Sequence, residues 1–137
     1  MKTIILGYDD TDPSKRALER AAELAKAFDA KLMVISVTPV MYAAGRSAGA
    51  IDPTDPPAKH EEELAHARSY LEGQEINAEY QPAVGEPADA IVELAEQSNA
   101  DLIVVGTRHV GMVQRFFGQS VSESVLHRTH TDVMIVH

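Results

Sequence analysis

At 137 residues, 45% of them hydrophobic but with only three Phe and four Tyr, the chain has the size and make-up of one domain in which aliphatic helices pack on a sheet. The absence of cysteine removes disulfides, thiolate metal sites and a Cys nucleophile together. A net charge of −9 argues against a nucleic-acid surface, and the acidic excess lies wholly in residues 1–100, because Arg108, Arg115 and Arg128 balance Asp101, Glu123 and Asp132 in residues 101–137.

Residues 3–8 (TIILGY) read as a buried strand, and the DDTDP that follows reads as a turn and a helix start, with Asp12 as the cap and Pro13 in the first turn. Leu18, Ala21, Ala22, Ala25 and Phe28 then fall at helical spacing. Residues 31–37 (KLMVISV) form a second buried strand that Pro39 is expected to close. Residues 41–57, with two glycines and three prolines, are expected to be a flexible loop of little regular structure. A helix over 60–71 follows, with Leu64, Ala67 and Leu71 on one side and the acidic run 61–63 read as a solvated face. A strand over 76–84, a helix over 87–97, a buried strand over 101–105, a last helix striped by Val121 and Val125, and a strand Asp132–Val136 complete the pattern.

Such alternation predicts an α/β domain over 1–137, with a doubly wound parallel sheet and helices on both faces. A ligand then belongs at the carboxyl ends of the strands, near Asp9, Val37 and Gly106. No run approaches the roughly 18 apolar residues of a membrane span and no basic leader precedes the first strand, so a cytoplasmic protein without membrane contact is expected.

Neither GxxxxGK[ST] nor GxGxxG occurs. The candidate phosphate loop is residues 106–120 (GTRHVGMVQRFFGQS): it leaves a buried strand, contains Gly106, Gly111 and Gly118, carries Arg108 and Arg115 without an acid, and runs into a helix. The same glycines would also serve a plain tight turn. Asp9 suits a ribose hydroxyl or an adenine amine, and equally a turn or helix cap. Ser120 suits a phosphate or a cap. His109, His127, His130 and His137 complete no metal site, and no GxSxG elbow supports Ser120 or Ser122 as a nucleophile.

Taken together, TIILGYDDTDPSKRALERA, KLMVISV, VGEPADAIVELAEQSNADLIVVGTR and SVSESVLHRTHTDVMIVH resemble the universal stress protein family over nearly the whole chain. The resemblance implies an adenine nucleotide alpha hydrolase-like fold, five strands in the order 3-2-1-4-5, and a homodimer through pairing of the last strands, here Asp132–Val136. Members that bind ATP carry Gly, two residues, Gly, nine residues, then Gly and Ser or Thr. On this chain the first Gly falls on Gly106 and the terminal Ser on Ser120, while His109 and Gln119 stand where the other two glycines belong and Gly118 lies one place early.

Carried over residue by residue, the resemblance implies Gly7 and Asp9 near adenine and ribose, and Val37 against the base. Gly106, Thr107, Ser120 and Val121 fall around ribose and phosphates, with Arg108, His109, Gly111, Gly118 and Gln119 completing the loop. The expected function is that of a stress-response or signalling protein holding ATP, AMP or a cyclic nucleotide, with or without Mg²⁺ and with slow hydrolysis at most. The alternative is a dimeric interaction module without nucleotide, to which His109 and Gln119 point. A small hydrolase using the serines and histidines ranks below both.

Overall fold

The computed structural model describes residues 1–41, 50–107 and 121–137. Its elements, in chain order, are β1 (Thr3–Gly7), α1 (Asp12–Phe28), β2 (Lys31–Met41), β3 (Ala50–Ile51), α2 (Pro57–Gly73), β4 (Ala78–Gly85), α3 (Pro87–Gln97), β5 (Leu102–Gly106), α4 (Val121–Arg128) and β6 (Asp132–Val136). The five longer strands are all parallel: β4 lies beside β2, β2 beside β1, β1 beside β5, and β5 beside β6. This is the expected doubly wound class. The difference from the expected five strands is β3, two residues that pair antiparallel with Val40 and Met41 at the end of β2.

Successive strand residues face opposite sides of the sheet, so a strand covered on both faces must be apolar throughout. Ile4 and Leu6 pack with Ala17, Ala21, Leu64 and Leu71 of α1 and α2. Ile5, between them in sequence, packs with Ile35, Ile91, Ile103 and Val125 on the face covered by α3 and α4. Burial of each such Ile or Leu contributes about 1.5–3 kcal/mol. At the opposite end from the strand tips, Asp101 Oδ2 accepts from the N–H groups of Lys2 (2.7 Å) and Thr3 (2.9 Å), which holds its carboxyl below the usual range and ties the start of β1 to that of β5. Among the described residues no helix is long and apolar enough to cross a membrane.

Two boundaries depart from the sequence expectation. Thr11, not Asp12, caps α1: its hydroxyl accepts from Ser14 N–H at 3.3 Å, and Asp12 becomes the first helical residue, where its charge still suits the positive helix end. Strand β2 does not stop at Pro39 but runs through it to Met41. Ile35 O accepts from Tyr8 N at 3.0 Å on the β1 side, and the two-residue alternation of a strand puts the missing N–H of Pro39 on that same side. Since β1 has ended by then, its last partner being Gly7 opposite Ile35, Pro39 sacrifices no ladder bond. Within residues 41–57, expected to be a loop of little regular structure, the described part holds β3 and the start of α2.

Candidate functional site

Where β1 ends, the chain turns through Tyr8, Asp9 and Asp10 into α1. Asp10 takes a left-handed conformation there (φ 61°), which Asp tolerates better than most residues. Asp9 stabilises the turn: its N–H donates to Ser14 Oγ (3.0 Å), and its Oδ1 accepts from the Thr11 hydroxyl (2.6 Å) and N–H (3.2 Å). Asp9 also lines a cavity over the strand ends that opens to solvent. The two roles weighed for this residue, turn former and ligand contact, therefore coexist.

One wall of the cavity is apolar, from Ile35, Val37 and Pro39 of β2 with Ile91 of α3. Three helices begin at its rim, at Thr11, Pro87 and Val121, and so turn their positive ends toward it. Main-chain groups reach it too. By the alternation that places Ile35 O on the β1 side, Val37 N–H and C=O lie on that side beyond the last β1 pairing.

Gly7 and Gly106 line the cavity, yet packing behind them explains why each is glycine. A Cβ on Gly106 would sit 2.6–2.8 Å from the backbone of Pro13 and Ser14, so the end of β5 and the first turn of α1 approach as closely as backbones can. A Cβ on Gly7 would meet Ile91 Cδ1 at 2.9 Å.

The opposite end carries a polar cluster that sequence reasoning missed. Asp55 and His60 line the cavity beside Pro39. His60 Nε2 is 2.6 Å from Asp55 Oδ1, while His60 Nδ1 is 3.1 Å from Ser36 Oγ and 3.3 Å from Glu63 Oε2; Ser36 Oγ in turn donates to Glu63 Oε2 at 3.1 Å. Glu63 is 3% exposed and His60 6%, so the acidic run 61–63 is a solvated face only at Glu61 and Glu62, and Glu63 points inward. Burial pushes the Glu63 carboxyl above its ordinary range, against the pull of His60 and Ser36, and the nearby Asp9 adds to the rise. Tyr8 is raised likewise, by burial first and then by Asp10. Behind the turn, Asp10 Oδ2 meets His66 Nδ1 at 2.6 Å and raises the imidazole, while Asp10 Oδ1 is buried without a partner.

The order Ser36, His60, Asp55 has the outline of a nucleophile, base and acid. Ser36, however, is 1% exposed and is not among the residues that line the cavity, as an attacking hydroxyl would have to be. Among the described residues no three acids, histidines or cysteines are grouped to hold a metal ion.

Of the residues singled out from sequence, Gly7, Asp9, Val37, Gly106 and Val121 come together in this cavity. Thr107 does not line it: its N–H and hydroxyl both donate to Val136 O, at 2.7 and 3.4 Å, so it secures β6. Arg108, His109, Gly111, Gly118, Gln119 and Ser120 lie outside the described residues. His127, His130 and His137 are exposed. A signal for His60 was present, since it stands in register with Leu64, Ala67 and Leu71 on the apolar stripe of α2.

The universal stress protein family matches residues 1–137. Universal stress protein Rv1636 of Mycobacterium tuberculosis is 35% identical over 99% of this chain and 96% of its own length. Universal stress protein MJ0531 of Methanocaldococcus jannaschii is 33% identical over 98% of this chain and 81% of its own. A crystal structure of a universal stress protein in complex with cAMP superposes with a TM-score of 0.75 at 31% identity, over 99% of this chain and 97% of that one.

Proposed function

The chain belongs to the universal stress protein family, and on that premise we propose that it holds an adenine nucleotide in the cavity over β1, β2 and β5, as a stress-response or signalling protein rather than a catalyst. The observation that carries this is the convergence of Gly7, Asp9, Val37, Gly106 and Val121 on one cavity. Further support comes from the 31% identical relative solved in complex with cAMP.

The cavity has the chemistry a nucleotide needs. Its apolar wall can take a purine face, and Val37 N–H and C=O can bond the ring nitrogen and the amine on the base edge. The second oxygen of Asp9 suits a ribose hydroxyl. Phosphates belong at the Gly106 end, where α1 and α4 begin, because Asp9, Asp55 and Glu63 would repel them at the other. From the family resemblance, Arg108, His109, Gly111, Gly118, Gln119 and Ser120 would complete the phosphate end, and Mg²⁺ would accompany a triphosphate as its counter-ion.

A homodimer in the cytoplasm accords with this reading. β6 pairs only with β5 among the described residues, and its Val133, Met134, Ile135 and Val136 are half-buried, as an edge strand awaiting a partner strand would be.

Mass spectrometry of the supernatant after denaturing protein purified from cells, with calorimetry against AMP, ATP and cAMP, tests the proposal. Released adenine nucleotide, or saturable binding of any of the three, is expected; protein that is empty and binds none of them refutes it. The second reading, an interaction module without nucleotide, rests on His109 and Gln119 standing at motif glycine positions. If those side chains obstruct phosphate, His109→Gly with Gln119→Gly raises ATP affinity roughly tenfold. Unchanged affinity would show that they do not obstruct it.

A further inference from the structure

The proposed nucleotide site leaves one pair unused: Asp55 and His60, which line the cavity opposite its glycine end. We infer that Asp55 is a specificity-determining residue of this site, accepting a hydrogen bond from the exocyclic amine of the bound base, and that His60 is the positioning residue that aims it. This rests on the adenine-nucleotide reading above.

Charge decides which part of a nucleotide meets Asp55. With Asp9 and Glu63 close by, that end of the cavity disfavours phosphate and favours a neutral group that donates. A purine on the Val37 and Pro39 wall has Asp55 and His60 in the same cavity lining, within reach of its edge. A carboxylate only accepts. It therefore favours the amine of adenine and opposes the 6-oxo group of hypoxanthine or guanine, which also accepts.

His60 aims Asp55: a carboxylate oxygen only accepts, so His60 Nε2–H donates to Asp55 Oδ1 over the 2.6 Å contact. Asp55 Oδ2 makes no hydrogen bond among the described residues, and the side chain is 24% exposed, so this oxygen remains for a ligand. Lys59 approaches only Oδ1, at 3.5 Å from the solvent side.

The test is equilibrium binding of AMP and IMP to the full chain and to Asp55→Asn, whose amide can donate to a 6-oxo group. Wild-type protein is expected to prefer AMP by roughly tenfold or more, and Asp55→Asn to cut the AMP-to-IMP ratio by about the same factor. His60→Gln is expected to erode the ratio less. A ratio that stays within about twofold in Asp55→Asn overturns the inference while leaving nucleotide binding intact. Absence of binding by any adenine nucleotide in the wild type removes the site reading, and the inference with it. Should Asp55→Asn fail to fold, Asp55→Ala is measured in its place: an AMP-to-IMP ratio cut by roughly tenfold supports amine recognition by Asp55, and a ratio within about twofold of wild type refutes it.

Discussion

The two ends of the cavity are built in opposite ways. At the glycine end, Gly7 and Gly106 let β1 and β5 press against α3 and α1, and the surface offered to a ligand is main chain and helix N-termini. At the α2 end, buried Ser36, His60 and Glu63 form a hydrogen-bonded cluster that reaches the part-exposed Asp55, and the surface offered is side-chain oxygen and nitrogen. Close backbone packing admits any anion of the right size, whereas a satisfied polar network can tell one donor pattern from another. In the proposed site, affinity for phosphate and selectivity for a base would thus rest on different elements, and they should respond separately to substitution.

The sharpest break of that contrast is His60→Leu. It removes the shared partner of Asp55 and Glu63 and leaves Glu63 buried with only Ser36, at an expected cost of about 3 kcal/mol at neutral pH. The pH dependence identifies the cause. Burial already raises Glu63 in the folded protein, so the folded state holds that proton to higher pH than the unfolded chain does. Stability is accordingly lost as pH rises from the ordinary carboxylate range through the raised value. Without His60 this loss extends further upward. Urea denaturation should therefore show a deficit that shrinks toward about pH 5, and a deficit independent of pH would mean that a packing defect, not an orphaned carboxyl, is responsible.

Next in size is the contrast between Gly106→Ala and Gly7→Ala. The Gly106 methyl meets the backbone of Pro13 and Ser14, which moves only if α1 moves, whereas the Gly7 methyl meets the flexible end of Ile91. Overpacking should cost about 2–3 kcal/mol at Gly106 and about 1 kcal/mol at Gly7, as read from denaturation midpoints. Equal costs would mean that the two strand ends are similarly yielding, and that Gly106 owes its identity to something other than α1.

The same contrast explains what could be read before the structure was known. Gly106 was legible because a β-branched run, LIVV, ends on it, and Asp9 because it follows TIILGY. Both signals are local. The place of Asp55 in the cavity was not legible, since a DPTDPP context reads as a turn whatever lies across from it, and Glu63 was hidden inside a run of three glutamates. What brings Ser36, Asp55 and Glu63 together is β2 running past the end of β1, through a proline that by itself reads as a stop. The loop motif points to Gly106 and the family resemblance to Gly7 as ligand contacts, while the structure shows a packing reason that neither states. The parallel sheet and its helices were legible because hydrophobic period and turn residues agree at every element.

The smallest expected effect lies just behind the acidic end, at the Asp10–His66 pair. His66 is raised above its ordinary value of 6.5 by its bond to Asp10, then by the Asp10 charge. A histidine raised on folding stabilises the folded state in full below its unfolded value and loses that contribution as pH rises through the folded one. His66→Gln should therefore lower the denaturation midpoint slightly at about pH 6, with wild type and variant converging by about pH 9, because the exposed pair is screened and contributes little even when charged. The left-handed turn at Asp10 adds a second readout. If the His66 bond helps to hold Asp10, and through it Asp9, in place, His66→Gln should weaken nucleotide binding at pH 6 more than at pH 9 while leaving the AMP-to-IMP ratio unchanged, since the proposed site sets Asp9 against the sugar and Asp55 against the base. A change in that ratio would show that the turn and the Asp55–His60 pair act as one unit, and the division of labour between the two ends would fail.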